Sequence, residues 1–277
     1  MSAAEREAAL AAGQIGFLFS DWVRERFGLP ETKLPDLHLF EPGTAARMLR
    51  QEWGLGEKPI TNMIQLLESK GVRVFSLAEN TAHVNAYSLW RKGVPYIFLN
   101  TFKTAESSRF DAAHELAHLV LHQDGGVTGR MAEEPANRFA AAFLMPEADV
   151  RSVLPLIHNL KQLIVAKRRW RVSLAALNYR VRELSLTSEW KYRGFCIEIT
   201  KLGYNKSEPD EIEREQSVVW DKVLKSLWLE KTTNLDIARE LSLPPNELGG
   251  LLFGTLNRLF KQPSQGSKLS IVESNAA

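Results

Sequence analysis

The sequence predicts an α+β protein, with helices first, then a small mixed sheet, then a histidine-bearing helix and a mostly helical remainder. Three observations carry this reading. Apolar residues recur at helical spacing before residue 71, and the period then shortens to runs rich in aromatic and β-branched residues between 72 and 100. From residue 107 helical spacing returns and continues to about residue 260.

Taken in order, residues 3–27 read as a helix with Ile15, Leu18, Phe19 and Trp22 on one face and a stop at Gly28-Leu29-Pro30. This helix is expected to be a connector or docking arm. Helices are expected over 43–52 and 60–70, the second closed by Gly71 as a C-cap. VRVFSL (72–77), VNAYSLW (84–90) and PYIFLN (95–100) read as strands, with Arg91-Lys92-Gly93 as a hairpin turn. Helices follow over 107–122 and 131–144, separated by Gly125-Gly126, which make 123–130 a candidate mobile loop. The segment 160–190 holds two helical stretches broken near Trp170 to Ser173, and short strands are expected around Phe195 to Thr200. The division expected is 1–29 as an N-terminal helix, 30–150 as the chemical domain, 151–260 as a helical, helix-turn-helix-like region and 261–277 as a disordered tail.

Composition narrows the chemistry. Cys196 is the only cysteine, so an intrachain disulfide and a cysteine-based metal cluster are both excluded. The N-terminus lacks the basic start and apolar core of a signal peptide, and no apolar run reaches membrane-spanning length, so a cytoplasmic protein without a membrane partner is expected. Net charge is only +2, yet residues 151–193 carry ten Lys or Arg against two acids.

The segment FDAAHELAHLVLH (110–122) contains His114-Glu115-Leu116-Ala117-His118, the HExxH pattern. Histidines four apart share a helix face, so both imidazoles can reach one ion, with Glu115 beside them to take a proton from water. A catalytic zinc site needs a third protein ligand. Glu133, in EEPANRFAAAFLMP (133–146), is the first candidate, with Asn137 one turn on to hydrogen-bond a ligand imidazole. Glu134 points about 100° away and is the second choice. His122 is a rival ligand, read instead as a helix-end residue favoured by the dipole.

These two segments in order resemble the ImmA/IrrE family of metallopeptidases, and the likeness extends over roughly residues 40–200. It implies a zincin-like domain holding one Zn²⁺ on His114, His118 and Glu133, with Glu115 as general acid/base. It also implies a substrate, a separately encoded helix-turn-helix repressor of the Xre type, cleaved to derepress genes of a stress response or mobile element. Two departures stand out: Ala117 where the family often has Gly, and Asn85 where longer relatives often have an acid. The strand at 84–90 is the candidate for pairing with an extended peptide, and Tyr87, Tyr96 and several arginines remain open as oxyanion donors.

The basic region offers Lys167, Arg168, Arg169, Arg171, Arg180 and Arg182 as candidate phosphate contacts in a helix-turn-helix over 160–190. The later segment 236–252 has the same rhythm without basic residues in its second helix, and reads as a docking or packing unit. Two functional alternatives stand beside the peptidase: an antitoxin-like or regulatory protein that docks a partner without cutting it, and a DNA-binding regulator.

Overall fold

A computed structural model describes residues 3–77, 86–123, 129–244 and 247–255. Among them are helices α1 (Ala3–Arg24), α2 (Pro42–Glu52) and α3 (Met63–Ser69), then strands β1 (Arg73–Ser76), β2 (Tyr87–Arg91) and β3 (Val94–Leu99). Helices α4 (Ala105–Leu121), α5 (Arg130–Leu144), α6 (Glu147–Val153), α7 (Leu160–Trp170), α8 (Leu174–Glu183) and α9 (Glu189–Lys201) follow, and α10 (Val218–Leu229), α11 (Asn234–Glu240) and α12 (Glu247–Leu251) complete the order. The molecule is α+β, as its sequence pattern implies.

The sheet runs β1-β3-β2, with β1 parallel and β2 antiparallel to β3. Lys92 and Gly93 join β2 to β3 with φ of 50° and 73°, the paired positive values that a two-residue hairpin matched to strand twist requires. Period-two alternation then divides the side chains. Val74, Ile97 and Leu99 enter one core, whereas Phe75, Tyr96 and Phe98 enter the other. Both faces of β1 and β3 are covered; β3 is central, and β1 and β2 are the two edge strands.

On the first face lies α4, which packs against α5, α3, β2 and β3. Thr104 caps it by accepting from the Ser107 amide at 3.2 Å. The alanines of both helices (Ala112, Ala113 and Ala117 on α4; Ala136 and Ala140 on α5) are fully buried, small side chains that let the two axes approach. Ala117 accordingly sits in the core. Gly71, at φ 83°, lies just beyond α3, where a Cβ would stand 2.3 Å from the Glu31 carbonyl oxygen.

On the second face α1 packs onto the sheet and onto α10: Phe17 on α1 meets Tyr96 edge-on at 4.8 Å, and Phe19 meets Trp220 of α10 at 5.4 Å. Ile237 of α11 and Leu248 and Leu251 of α12 join that core, so the segment 236–252 is a packing unit. Glu240 accepts from the Trp22 indole at 2.8 Å and from Arg26 at 2.6 Å, binding the two ends of the described chain together. On the first face one cluster of buried residues runs from Leu37 to Ile199.

The strands expected around Phe195 to Thr200 are instead part of α9. Phe195 and Ile199 are four apart and buried, while Ile197 between them is exposed, which is a helical and not an alternating burial. Packing of α9 against α8 decides the matter. The expected tail at 261–277, Asn85 and most of the candidate loop at 123–130 lie outside the described residues.

Candidate metal centre

α4 and α5 together build the site. His114 Nε2 and His118 Nε2 stand 3.0 Å apart. The nearest Glu133 carboxylate oxygens are 3.2 Å from His114 Nε2 and 3.8 Å from His118 Nε2. A tetrahedral ion with bonds of about 2.0–2.1 Å has ligand-to-ligand edges of about 3.3 Å, so these three separations bracket the size a zinc ion needs. One donor atom from each of the three residues lies within 4.8 Å of the others.

Hydrogen bonds at the far side of each ring fix the tautomers. Asn137 Oδ1 lies 3.0 Å from His114 Nδ1, and an amide oxygen only accepts, so Nδ1 carries the proton and Nε2 presents its lone pair. His118 Nδ1 lies 3.0 Å from His122 Nδ1. With its Nε2 turned to the shared point, His118 donates from Nδ1 and His122 accepts. Two facing imidazole lone pairs beside a carboxylate repel one another unless a cation lies between them, and the donor set therefore fits the ion. Burial, reinforced by His114 and His122, pushes the His118 pKa down to about 4 and keeps the ring in its neutral, ligating form.

Glu115 is 5% exposed. Ser88 Oγ on β2 donates to its Oε2 at 2.7 Å and approaches its backbone oxygen at 3.2 Å. Burial raises its pKa to about 7; Ser88 opposes the shift, and the carboxylates of Asp111 and Glu133 add to it. A carboxyl poised there exchanges a proton readily in either direction near neutrality. A cleft of about 470 Å³ opens beside it, lined by Ser88, Trp90, Glu115, His118, His122 and Glu133 among others.

Several other expectations meet different partners. Glu134 is exposed and outside the donor group. His122, the C-cap of α4, is a hydrogen-bond partner of the candidate ligand His118 and lies outside the three-residue donor group. Tyr87 stacks on Phe98 at 4.8 Å, and the Tyr96 hydroxyl meets Ser20 at 3.2 Å, so both tyrosines serve the opposite core and not the oxyanion position. Ser88 was not singled out by spacing; its only signal is alternation, since it and Trp90 are the β2 residues facing α4.

The six basic candidates are also engaged within the chain. α7 and α8 do form a helix pair across a short turn at Arg171–Ser173. Lys167 is 1% exposed between Glu106 at 3.1 Å and Glu208 at 3.2 Å, and buried Arg180 binds the Met145 carbonyl and Glu183. Neither can reach a phosphate. Arg168 pairs with Asp210 and Arg169 with Asp149, each at 2.6 Å, Arg171 donates to the carbonyls of Thr61 and Glu213, and Arg182 lies over the Tyr192 ring at 4.6 Å.

Comparison with known families gives the same direction as the geometry. Residues 67–182 match Peptidase_M78, the IrrE N-terminal-like domain. The match supports an ImmA/IrrE-family metallopeptidase domain at residues 67–182. All three donor residues, Glu115, Ser88 and Asn137 fall inside the matched span, as do α7 and nearly all of α8. A search of curated proteins finds no match. No helix among the described residues is long and apolar enough to cross a membrane.

Proposed function

We propose that this protein is a zinc-dependent endopeptidase that cleaves a separately encoded Xre-type helix-turn-helix repressor. The observation that carries the reading is the convergence of two imidazole nitrogens and one carboxylate, with a buried carboxyl group from the same helix turn beside them. His114, His118 and Glu133 would hold the metal, with Asn137 and His122 orienting the two rings. A zinc ion bound there supplies Lewis acidity, which lowers the pKa of water and polarises a carbonyl.

Glu115 takes the proton from the attacking water and delivers it to the leaving amine, and Ser88 holds the carboxylate in place between those two acts. β2, an edge strand whose Ser88 and Trp90 face the cleft, offers backbone groups to an extended peptide. A folded helix would not present a peptide bond to such an edge, so the cut falls in an extended or unwound part of the substrate.

The test is incubation of the zinc-loaded protein with the Xre-type repressor encoded beside its gene. Wild type yields two fragments by intact mass, and Glu115→Gln yields none while retaining zinc. A repressor that binds stoichiometrically and stays intact would select the non-cleaving, antitoxin-like alternative.

A further inference from the structure

A second cavity, of about 330 Å³, is lined in part by Asn137, the hydrogen-bond partner of His114. Its wall includes Lys103, Phe110, Asp111, Asn137, Ala175 and Tyr179. Two of these touch the site directly in their effects. Asn137 also accepts from His114, and Asp111, one helical turn before Glu115, acts on the Glu115 carboxyl through space. Ala175 and Tyr179 come from α8, the second helix of the expected helix-turn-helix.

The geometry points to this cavity as the pocket that receives the substrate side chain flanking the scissile bond, and to an uncharged aliphatic or aromatic side chain as its occupant. The inference rests on the peptidase reading. Lys103 Nζ and Asp111 Oδ2 are 2.8 Å apart and neutralise one another, so a charged occupant would lose its hydration without gaining an unpaired counter-ion. The rest of the wall is largely apolar, from the Phe110 and Tyr179 rings and the Ala175 methyl. A volume of about 330 Å³ lies at the small end of ligand pockets and suits one side chain better than a folded element. In this reading α8 sets specificity.

The test measures binding of amino-acid hydroxamates, which need no turnover, to the zinc-loaded protein by calorimetry. Leucine and phenylalanine hydroxamates bind about ten- to a hundredfold tighter than glycine hydroxamate, as burial of one apolar side chain requires, while glutamate and lysine hydroxamates show no such gain. Ala175 is exposed, so Ala175→Trp fills the cavity without disturbing the core, and it removes the leucine advantage while leaving glycine hydroxamate unchanged. Equal affinity for all side chains, or a leucine advantage that survives Ala175→Trp, overturns the inference.

A second arm works without metal, and separates failure of the pocket from failure of the metal centre. In the zinc-free protein N-acetylleucinamide shifts the Tyr179 ring resonances, N-acetylglycinamide does not, and Ala175→Trp abolishes the response. Absence of that shift refutes the pocket even if zinc binds; its presence in a protein that never takes up zinc upholds the pocket and refutes the peptidase reading.

Discussion

Glu215→Ala strands a buried charge, and its cost can be worked from the contacts. Glu215 lies in the stretch 202–217, which has no helix or strand, and its carboxylate pairs with Arg109 of α4 while accepting from the Met63 amide at 2.7 Å and the Ile64 amide at 3.2 Å. The two side chains are only 1% and 6% exposed. Burial lowers the Arg109 pKa and Glu215 opposes that shift, so the guanidinium depends on its partner. Removing one member of such a pair costs about 3–5 kcal/mol, because the other is left charged in a dry site. Against a total stability of about 5–15 kcal/mol this is a large share. Urea unfolding followed by circular dichroism should show the midpoint falling by about 1–2 M for a slope near 3 kcal/mol/M. The double variant Arg109→Met/Glu215→Leu leaves no stranded charge and should be milder than Glu215→Ala, despite two unpaired amides at the start of α3. A loss below about 1 kcal/mol in Glu215→Ala, or a double variant no milder than the single, would refute the reasoning. Since Arg109 lies on the histidine-bearing helix, this contact also ties that helix to the stretch 202–217.

Three further outcomes follow from the same structure. Ser88→Ala removes a charge-assisted hydrogen bond worth about 1.5–3 kcal/mol, so cleavage of the repressor should slow by about ten- to a hundredfold with zinc content unchanged. The Arg169 guanidinium, then the Trp170 indole, hold the Asp149 carboxyl below its ordinary 3.8; that contribution to stability is present above pH 3.8 and is lost as pH falls through the lower folded value. Acid titration of Asp149→Asn should therefore lack this part of the wild-type loss below about pH 4. Duplex DNA should bind no tighter than about 10⁻⁴–10⁻⁶ M at physiological salt in an anisotropy titration, because Lys167, Arg168, Arg169, Arg171, Arg180 and Arg182 are engaged within the chain; nanomolar affinity would contradict this.

Local signals revealed much of the site and little of the assembly. HExxH spacing and the Lys92-Gly93 turn each depend on a few neighbouring residues, and the helix and hairpin they imply are present. The juxtaposition of Glu133 with the two histidines was legible because both helices share a short connection and each side chain's helical phase is calculable. Packing across more than two hundred residues was not. Nothing near Trp22 announces Glu240, and nothing in the α1 sequence says that its apolar face covers the sheet. The partners of the basic excess of 151–193 were not legible for a related reason, since the acids that pair with it, Glu106, Asp149, Glu208 and Asp210 among them, come from other elements of the chain. α9 read as strand because Phe195, Ile197 and Ile199 alternate, and only burial against α8 distinguishes that pattern from a helical i, i+4 pair.

Zinc content by elemental analysis, on wild type, Glu133→Ala, Glu134→Ala and Glu115→Ala prepared in parallel, tests the central claim most directly. One zinc per chain in wild type, Glu134→Ala and Glu115→Ala, with loss in Glu133→Ala, is the result the donor geometry predicts. A wild-type protein that stays metal-free in excess zinc, or a Glu133→Ala protein that binds it as well as wild type, would contradict the account.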